Sequence, residues 1–150
     1  MSKKAVVFYD KNCGLCDQTV RFLLERDIQN QLTFSPLQGS FARERLHDEL
    51  FKMAEAGGPA LADFLEKLDE TDLLDKFLPE VKAMQGVEQQ PEHHPEGDVS
   101  QHVLAALRAS PVKGKPITTL AILFHDIGKP GTYALTPTDK YPDGKHTFYG

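Results

Sequence analysis

The chain has 150 residues, of which 40% are hydrophobic and 26% are charged, and its formal net charge is -5. This size and composition fit one ordinary soluble domain or two very small ones. The negative charge excludes a general attraction to nucleic acid or anionic membranes, although it leaves room for a local basic patch. No apolar run is long enough to span a bilayer or to form a signal peptide. We therefore expect a cytoplasmic protein without a membrane partner.

The N-terminal segment has the pattern of a strand, a helix and a second strand. Residues 5–9 form an apolar run rich in β-branched and aromatic side chains, which predicts a buried strand. Residues 10–12 are typical of a turn, and apolar residues then recur at helical spacing over residues 13–27. Residues 32–35 favour another strand, which ends at Pro36. The sequence thus predicts a β-α-β unit of about 35 residues, followed by a boundary near residues 38–42.

Two cysteines at the start of the predicted helix, Cys13 and Cys16, are the first candidates for chemistry. Backbone N–H groups and the helix dipole favour a thiolate at this position, and the second cysteine can resolve a mixed disulfide. The alternatives are two ordinary cysteines or a zinc knuckle, which needs two more ligands nearby.

The residues around the cysteines carry a family resemblance. The segment VVFYDKNCGLCDQTVRFLLERD, followed by LTFSPLQ, resembles the start of the DCC-type thiol-disulfide oxidoreductase-like family. The Asp-Cys-Cys signature of that family maps to Asp10, Cys13 and Cys16, whereas Lys11 stands where glycine is usual. The resemblance implies a thioredoxin-like fold and thiol–disulfide exchange by the two cysteines. It covers about 38 residues, so we expect residues 1–40 to form a partial thioredoxin-like segment.

Helical patterns dominate the rest of the chain. Ser40 can cap a helix, which Gly57 and Gly58 interrupt, and another helix begins with Pro59 near its first turn. A short helix should precede Pro79, and residues 86–97 form a polar loop. We expect residues 41–90 to form a helical body region.

Two further helices are predicted after this loop. Asp98 can cap the first helix, with Gln101 at the capping-box position, and Pro116 opens the second, for which Gly128 is a natural stop. The last twenty residues are rich in turn-forming residues, and residues 147–149 favour either a strand or the start of another helix.

A second candidate site combines three ligand-type residues from these two helices. His102 lies one turn into the first helix, and His125 and Asp126 end the second. Helices packed side by side bring such residues to one point, where imidazole nitrogen and carboxylate oxygen suit a divalent metal ion of unidentified type. Lys129 follows within one turn and could attract a phosphate. The alternative is a hydrogen-bonded pair that fastens a helix end.

Several polar residues lie near the predicted ligands in the sequence. His94, Glu96 and Asp98 precede His102 and are candidates for outer groups that orient the ligands. We interpret His93 and His146 as exposed loop histidines.

The histidine and aspartate residues also carry a family resemblance. The pattern H(x)nHDxGK resembles the HD superfamily of metal-dependent phosphohydrolases, with His102, His125 and Asp126 as the implied ligands. The longer runs ARERLHDELFKM, LDETDLLDKFLPEVKAMQGVEQQPEHHPEGDVSQHVLAAL and AILFHDIGKPGTY resemble the C-terminal part of bacterial tRNA nucleotidyltransferases of the CCA-adding, poly(A) polymerase-like type. That part comprises RNA-side helical modules followed by an HD domain. Ser100 and Phe124 replace a usual tryptophan and a usual leucine, which are packing changes.

The resemblance covers residues 42–150 and implies that parts of the family pattern are missing. No nucleotidyltransferase head is present, and the family's further aspartate falls on a helix beyond Gly150. Asp139 and Asp143 lie in a turn-rich segment and are poor substitutes for it. We therefore expect a mainly α fold, in which an incomplete HD-type helical domain over residues 91–150 accompanies the small β-α-β thioredoxin-like fragment. A fusion, a truncated product and an erroneous gene model all fit this arrangement.

These observations favour an HD-type metal-dependent phosphohydrolase, acting as a phosphomonoesterase or cyclic phosphodiesterase with a divalent metal ion as cofactor. Its partner would be a phosphorylated small molecule or an RNA end, and its oligomeric state is left open. One alternative is a thiol-disulfide oxidoreductase that works through Cys13 and Cys16. Another is a non-catalytic, RNA-associated helical remnant.

Overall fold

The computed structural model describes residues 4–137, 140 and 144–148. Its described part is mainly α-helical, which confirms the predicted fold class. Contacts divide the chain into two compact units, residues 1–49 and 50–150, and the division falls within one helix. Among the described residues, no helix has both the length and the apolar composition that a membrane span requires.

The first unit contains the predicted β-α-β arrangement. Strand β1 (Ala5–Tyr9) and strand β2 (Leu32–Pro36) are joined by helix α1 (Gly14–Arg26). The two strands pair in parallel, with Ala5 opposite Leu32 and Tyr9 opposite Pro36. Buried side chains are few, because a unit of this size encloses little volume relative to its surface. Val20 is the buried residue of α1, whereas Ile28, just after the helix, is 93% exposed.

Helix α2 (Ser40–Ala56) begins at the predicted cap residue and contains the division between the units. The second unit continues with α3 (Gly58–Glu70), α4 (Leu74–Phe77), α5 (Pro79–Lys82), α6 (Val99–Ala109), α7 (Pro116–Phe124) and α8 (Lys129–Thr132). Helix α5 was not predicted. Pro79 lacks an N–H and has a fixed φ, so it ends the preceding helical segment and starts a new turn.

The core of the second unit lies where α3 and α7 pack against α6. Its fully or almost fully buried side chains include Leu61, Leu65, Met84, Val99, Val103, Leu107 and Leu123. The first turn of α3 lies directly against the end of α6, where the Gly58 N–H donates to the Ser110 carbonyl over 3.1 Å. A Cβ at Gly58 would be 2.0 Å from the carbonyl oxygen of Leu107, so this contact requires glycine. This packing fixes the orientation of the helix that carries His102.

The described C-terminal residues form a hairpin. Strand β3 (Tyr133–Thr136) pairs antiparallel with β4 (Lys145–Phe148), and Tyr133 lies opposite Phe148. Of the two possibilities for residues 147–149, the strand is therefore present at residues 147 and 148. Asp139 and Asp143 lie outside the described residues.

Candidate functional site

His102 lies on helix α6, whose N-terminal cap and buried face hold the helix in place. Asp98 caps the helix, because its Oδ1 accepts from the Gln101 N–H over 2.8 Å and its Oδ2 accepts from the Gly86 N–H over 2.7 Å. Val99 and Val103 are almost fully buried and face the core. His102 lies on another side of the helix, where its side chain is 25% exposed. Asp98 thus fixes the start of the helix that positions His102.

The end of α7 presents the other two residues. Leu123 is completely buried and anchors the last turn of the helix, after which His125 and Asp126 lie in a turn that leads into α8. The Asp126 side chain is 12% exposed, whereas that of His125 is 40% exposed. The carboxylate is therefore partly removed from water, which strengthens its interaction with any nearby cation.

The structure brings the three predicted ligands together. His125 Nε2 lies 3.4 Å from His102 Nε2 and 3.3 Å from Asp126 Oδ2. His102 Nε2 lies 3.8 Å from the same carboxylate oxygen. The two imidazoles and the carboxylate thus direct one atom each towards a common point, and we call these three residues the HD cluster.

The other ring nitrogens of both histidines have acceptors. Nδ1 of His125 lies 2.6 Å from the Ile122 carbonyl oxygen, and Nδ1 of His102 contacts Oε1 of Glu96. A carbonyl and an ionised carboxylate only accept hydrogen bonds, so each Nδ1 carries the proton. In the neutral rings, both Nε2 atoms therefore present lone pairs to each other and to Asp126. A cation relieves the resulting repulsion, and such partners on Nδ1 are typical of metal-binding histidines.

Glu96 is ionised under ordinary conditions. Hydrogen bonds from its own backbone N–H and from His102 lower its pKa to about 2, with a smaller contribution from His94. Nδ1 of His94 lies 3.3 Å from Glu96 Oε1, and its ring meets that of His102 edge to face at 4.8 Å. Glu96 thus links two histidines, and its contact with His102 is the kind expected of an outer group.

The donor set fits a divalent ion in size and chemistry. A triangle with sides of about 3.5 Å has corners about 2.0 Å from its centre, close to the lengths of zinc–nitrogen and zinc–carboxylate bonds. The buried Oδ2 of Asp126 accepts no aligned hydrogen bond from any residue that the structure describes. Two neutral nitrogens and one carboxylate oxygen are also ligands that first-row transition metals favour.

Lys129 lies at the edge of the HD cluster. Its ammonium is 2.7 Å from Asp126 Oδ2, an ion-pair distance without hydrogen-bond alignment, and 2.6 Å from Oε1 of Gln89. Gln89 is 3% exposed, and its amide nitrogen has no hydrogen-bond partner among the described residues. Gln89 has no local signal in the sequence, because it lies 40 residues from Lys129 in a loop without periodic pattern.

The remaining histidine predictions concern surface positions. His93 is exposed in the loop before α6. The side chain of His146 lies outside the part of the chain that the structure describes.

The two cysteines lie at the start of α1 in the other unit. Cys13 is the N-cap residue, and its Sγ accepts from the Cys16 N–H over 3.4 Å. Hydrogen bonds from the Cys16 backbone and side chain lower the pKa of Cys13, against a rise from desolvation and a smaller rise from the charge of Asp10. The hydrogen bond to Cys13 raises the pKa of Cys16. Both thiols are free and partly exposed, and the lower pKa of Cys13 makes it the better nucleophile of the two.

Comparison with known proteins gives two separate similarities. Residues 7–58 match the family model of the DCC1-like thiol-disulfide oxidoreductase. Several relatives are called "Multifunctional CCA protein". The one from Halorhodospira halophila is 42% identical over 85 residues, which are 56% of this chain and 20% of the relative. The one from Pseudomonas savastanoi pv. phaseolicola is 34% identical over 116 residues, or 77% of this chain and 27% of the relative.

A third relative, the Multifunctional CCA protein of Xanthomonas campestris pv. campestris, is 36% identical over 131 residues, which are 86% of this chain and 29% of the relative. A match of that extent necessarily includes part of residues 7–58, so the two similarities overlap. The chain spans about a fifth to three tenths of the length of these relatives. No solved structure matches. Both predicted resemblances are thus confirmed: the chain is similar at its N-terminus to DCC1-like thiol-disulfide oxidoreductases and otherwise to part of the Multifunctional CCA proteins.

Proposed function

We propose that this chain is an HD-type metal-dependent phosphohydrolase that holds a divalent ion through His102, His125 and Asp126. The observation that supports this most directly is the convergence of two Nε2 lone pairs and one buried carboxylate oxygen, with separations of 3.3 to 3.8 Å. A hydrogen-bonded pair at a helix end explains one histidine and the aspartate, but it does not explain why a second lone pair faces them.

The residues of the cluster have distinct roles in this proposal. A bound divalent ion would supply Lewis acidity for phosphate hydrolysis. Glu96 and the Ile122 carbonyl keep the protons on the Nδ1 atoms, so that both Nε2 atoms face inwards. Asp126 contributes the negative charge that balances the ion, and the Lys129 ammonium stabilises phosphate charge. The net reaction adds water across a P–O ester bond. A phosphomonoester then gives an alcohol and inorganic phosphate, whereas a cyclic phosphodiester opens to a phosphomonoester with a free hydroxyl on the same molecule.

The substrate in this proposal is a phosphomonoester or cyclic phosphodiester, carried by a small molecule or by the end of an RNA. An open cavity of about 350 Å³ is lined by Gln89 and His94, which contact Lys129 and Glu96 respectively. The ring of His94 contacts that of His102, so the side chain of His94 connects the cavity to the cluster. The resemblance of residues 42–150 to part of the tRNA nucleotidyltransferases favours the RNA end among these substrates, and with it a cytoplasmic location.

The test uses the purified chain with p-nitrophenyl phosphate and bis(p-nitrophenyl) phosphate, each with and without Mn²⁺, Co²⁺ or Ni²⁺. We expect slow hydrolysis that requires the metal, is abolished by chelation and is lost in Asp126→Ala, because removing the anionic ligand removes the ion. His93→Ala, at an exposed position in the loop before α6, and Cys13→Ser serve as controls and should leave the rate unchanged. Hydrolysis that persists in Asp126→Ala with chelator present would contradict the proposal.

The lowered pKa of Cys13 favours a second candidate function, thiol–disulfide exchange. The Cys13 thiolate would attack a substrate disulfide, releasing one substrate thiolate and forming a mixed disulfide. Cys16 would then lose its proton and attack Cys13, which releases the second thiolate. The substrate is reduced by two electrons, and the two cysteines are oxidised to a disulfide.

Reduction of a glutathione-type disulfide by the reduced chain, followed by mass spectrometry, tests this second function. We expect a loss of two hydrogens from wild type and a trapped mixed disulfide in Cys16→Ser. No exchange in wild type would contradict it. Failure of both activities and of metal binding would favour the non-catalytic, RNA-associated alternative.

A further inference from the structure

The Lys129 ammonium is surrounded by groups that attract a cation, without any substrate being present. Its side chain is 20% exposed, and its ammonium lies between Asp126 Oδ2, at 2.7 Å, and Gln89 Oε1, at 2.6 Å. The ring of Phe148 in β4 lies on a further side, with its centroid 5.1 Å from the ammonium. An oxygen of Gln89, a carboxylate and an aromatic face are all groups that attract a cation. The ammonium is thus held in place.

The hydrogen bond from Lys129 determines the orientation of the Gln89 side-chain amide. An ammonium only donates hydrogen bonds, so the amide oxygen of Gln89 faces Lys129 and the amide nitrogen points elsewhere. That nitrogen is buried without a hydrogen-bond partner among the described residues. Burial of an unpaired amide nitrogen is unfavourable, and the hydrogen bond from Lys129 to the amide oxygen of Gln89 offsets part of this cost.

The held ammonium shares its carboxylate oxygen with the proposed metal site. Asp126 Oδ2 is the atom that faces the two Nε2 atoms, and it is also the oxygen nearest to Lys129. Among the described residues, Asp126 is the only anionic ligand proposed for the ion. A divalent ion that enters the cluster therefore approaches a carboxylate that is already paired with the Lys129 ammonium. The ammonium and a divalent ion would both contact the same carboxylate oxygen, and two positive charges that are so close and partly shielded from water repel each other strongly.

We propose that Lys129 is the resident cation of the HD cluster and that Gln89 is a positioning residue that holds it there, so that the two residues together lower the affinity for divalent ions. This inference rests on the metal site of the proposed function. When an ion binds, the ammonium leaves Asp126 and becomes available to the phosphate of a substrate. Gln89 affects metal binding through Lys129 and does not contact the ion.

The test measures the dissociation constant for Co²⁺ by visible absorption in the full chain. In Lys129→Met, a substitution that keeps the length and removes the charge, we expect a dissociation constant at least about tenfold lower. Gln89→Met should lower it by about threefold, because the ammonium can then retreat into solvent. Lys129→Met with Gln89→Met should match Lys129→Met alone, because Gln89 acts only through the lysine.

Two controls and the spectrum separate this role from a structural one. Lys67→Met and Gln85→Met remove the same side-chain types from contacts with Glu70 and Asp69, and neither should change the dissociation constant. The Co²⁺ spectrum should be the same in all variants, because the ligands are unchanged. Equal dissociation constants in wild type and Lys129→Met, or a Gln89→Met effect that persists without the lysine, would overturn this inference alone. Absence of Co²⁺ binding in both would overturn the proposed function as well.

Discussion

Replacement of Glu96 should weaken metal binding although this residue is not a proposed ligand. Its carboxylate accepts from Nδ1 of His102 and lies 3.3 Å from Nδ1 of His94, so it both orients the first ring and increases the basicity of Nε2. Because the pKa of Glu96 is about 2, the negative charge is present throughout an assay between about pH 5 and 8. The substitution therefore removes a charge that is fully present in wild type.

The size of the effect depends on what the substitution retains. Loss of such an outer partner typically costs about 10- to 100-fold in metal affinity. In Glu96→Gln, the amide oxygen can still accept from His102, so we expect a loss of about tenfold. In Glu96→Ala, both the acceptor and the charge are lost, and we expect about 100-fold. Isothermal titration with Co²⁺ or Zn²⁺ measures both values.

Glu88→Gln is the matched control, because Glu88 is an exposed residue of the same loop and belongs to neither histidine contact. Melting temperatures without metal should be similar for the control and for Glu96→Gln, which shows that the fold is retained. Binding by Glu96→Ala that equals wild type would refute the argument that Glu96 fixes the orientation and basicity of His102.

Three further predictions concern stability and the thiols. Gly58→Ala should lower the free energy of unfolding by about 2–4 kcal/mol, since its Cβ meets a backbone carbonyl of α6, whereas Gly131→Ala, with open space around it, should change it little in the same denaturant titration. Cys13 should react with iodoacetamide at least about threefold faster than Cys16 at neutral pH, as peptide mapping would show, because a lower pKa gives more thiolate; equal rates would contradict this. A hydrogen bond from a lysine lowers the pKa of Asp69, so Asp69 stabilises the fold above its ordinary pKa of about 3.9 and loses this effect as pH falls through the lowered value. Asp69→Asn should therefore melt below wild type at pH 7 but not at the acid end of the same series, and a difference that is independent of pH would be inconsistent with this role.

Local signals in the sequence identified much of the fold. The strand at Ala5–Tyr9, the cap at Asp98 and the helix start at Pro116 each depend on neighbouring residues, and the structure has all three. Convergence of the HD cluster was also foreseeable, because His102 lies on one helix and the other two members directly follow a second helix, and the apolar faces of these helices require that they pack together. Its role as a metal site remains a prediction, as does the division into three regions at residues 40 and 90.

Other contacts have no local signature. Gln89 and Lys129 meet across 40 residues, and no periodicity marks either as a partner of the other. The Ile122 carbonyl that accepts from His125 belongs to the backbone, so residue type carries no information about it. Helix α5 and the pairing of β3 with β4 depend on tertiary packing of short segments, for which propensity alone is a weak guide.

The protonation of the histidine rings is the measurement that tests the central claim most directly. Long-range ¹H–¹⁵N spectra of the full chain report which ring nitrogen carries the proton and whether a metal binds the other. At neutral pH, we predict that Nδ1 is protonated in both His102 and His125, and that added Zn²⁺ shifts the Nε2 resonances of these two rings while His93 does not respond. Protons on Nε2, or Nε2 resonances that Zn²⁺ leaves unchanged, would contradict the account of this cluster as a metal site.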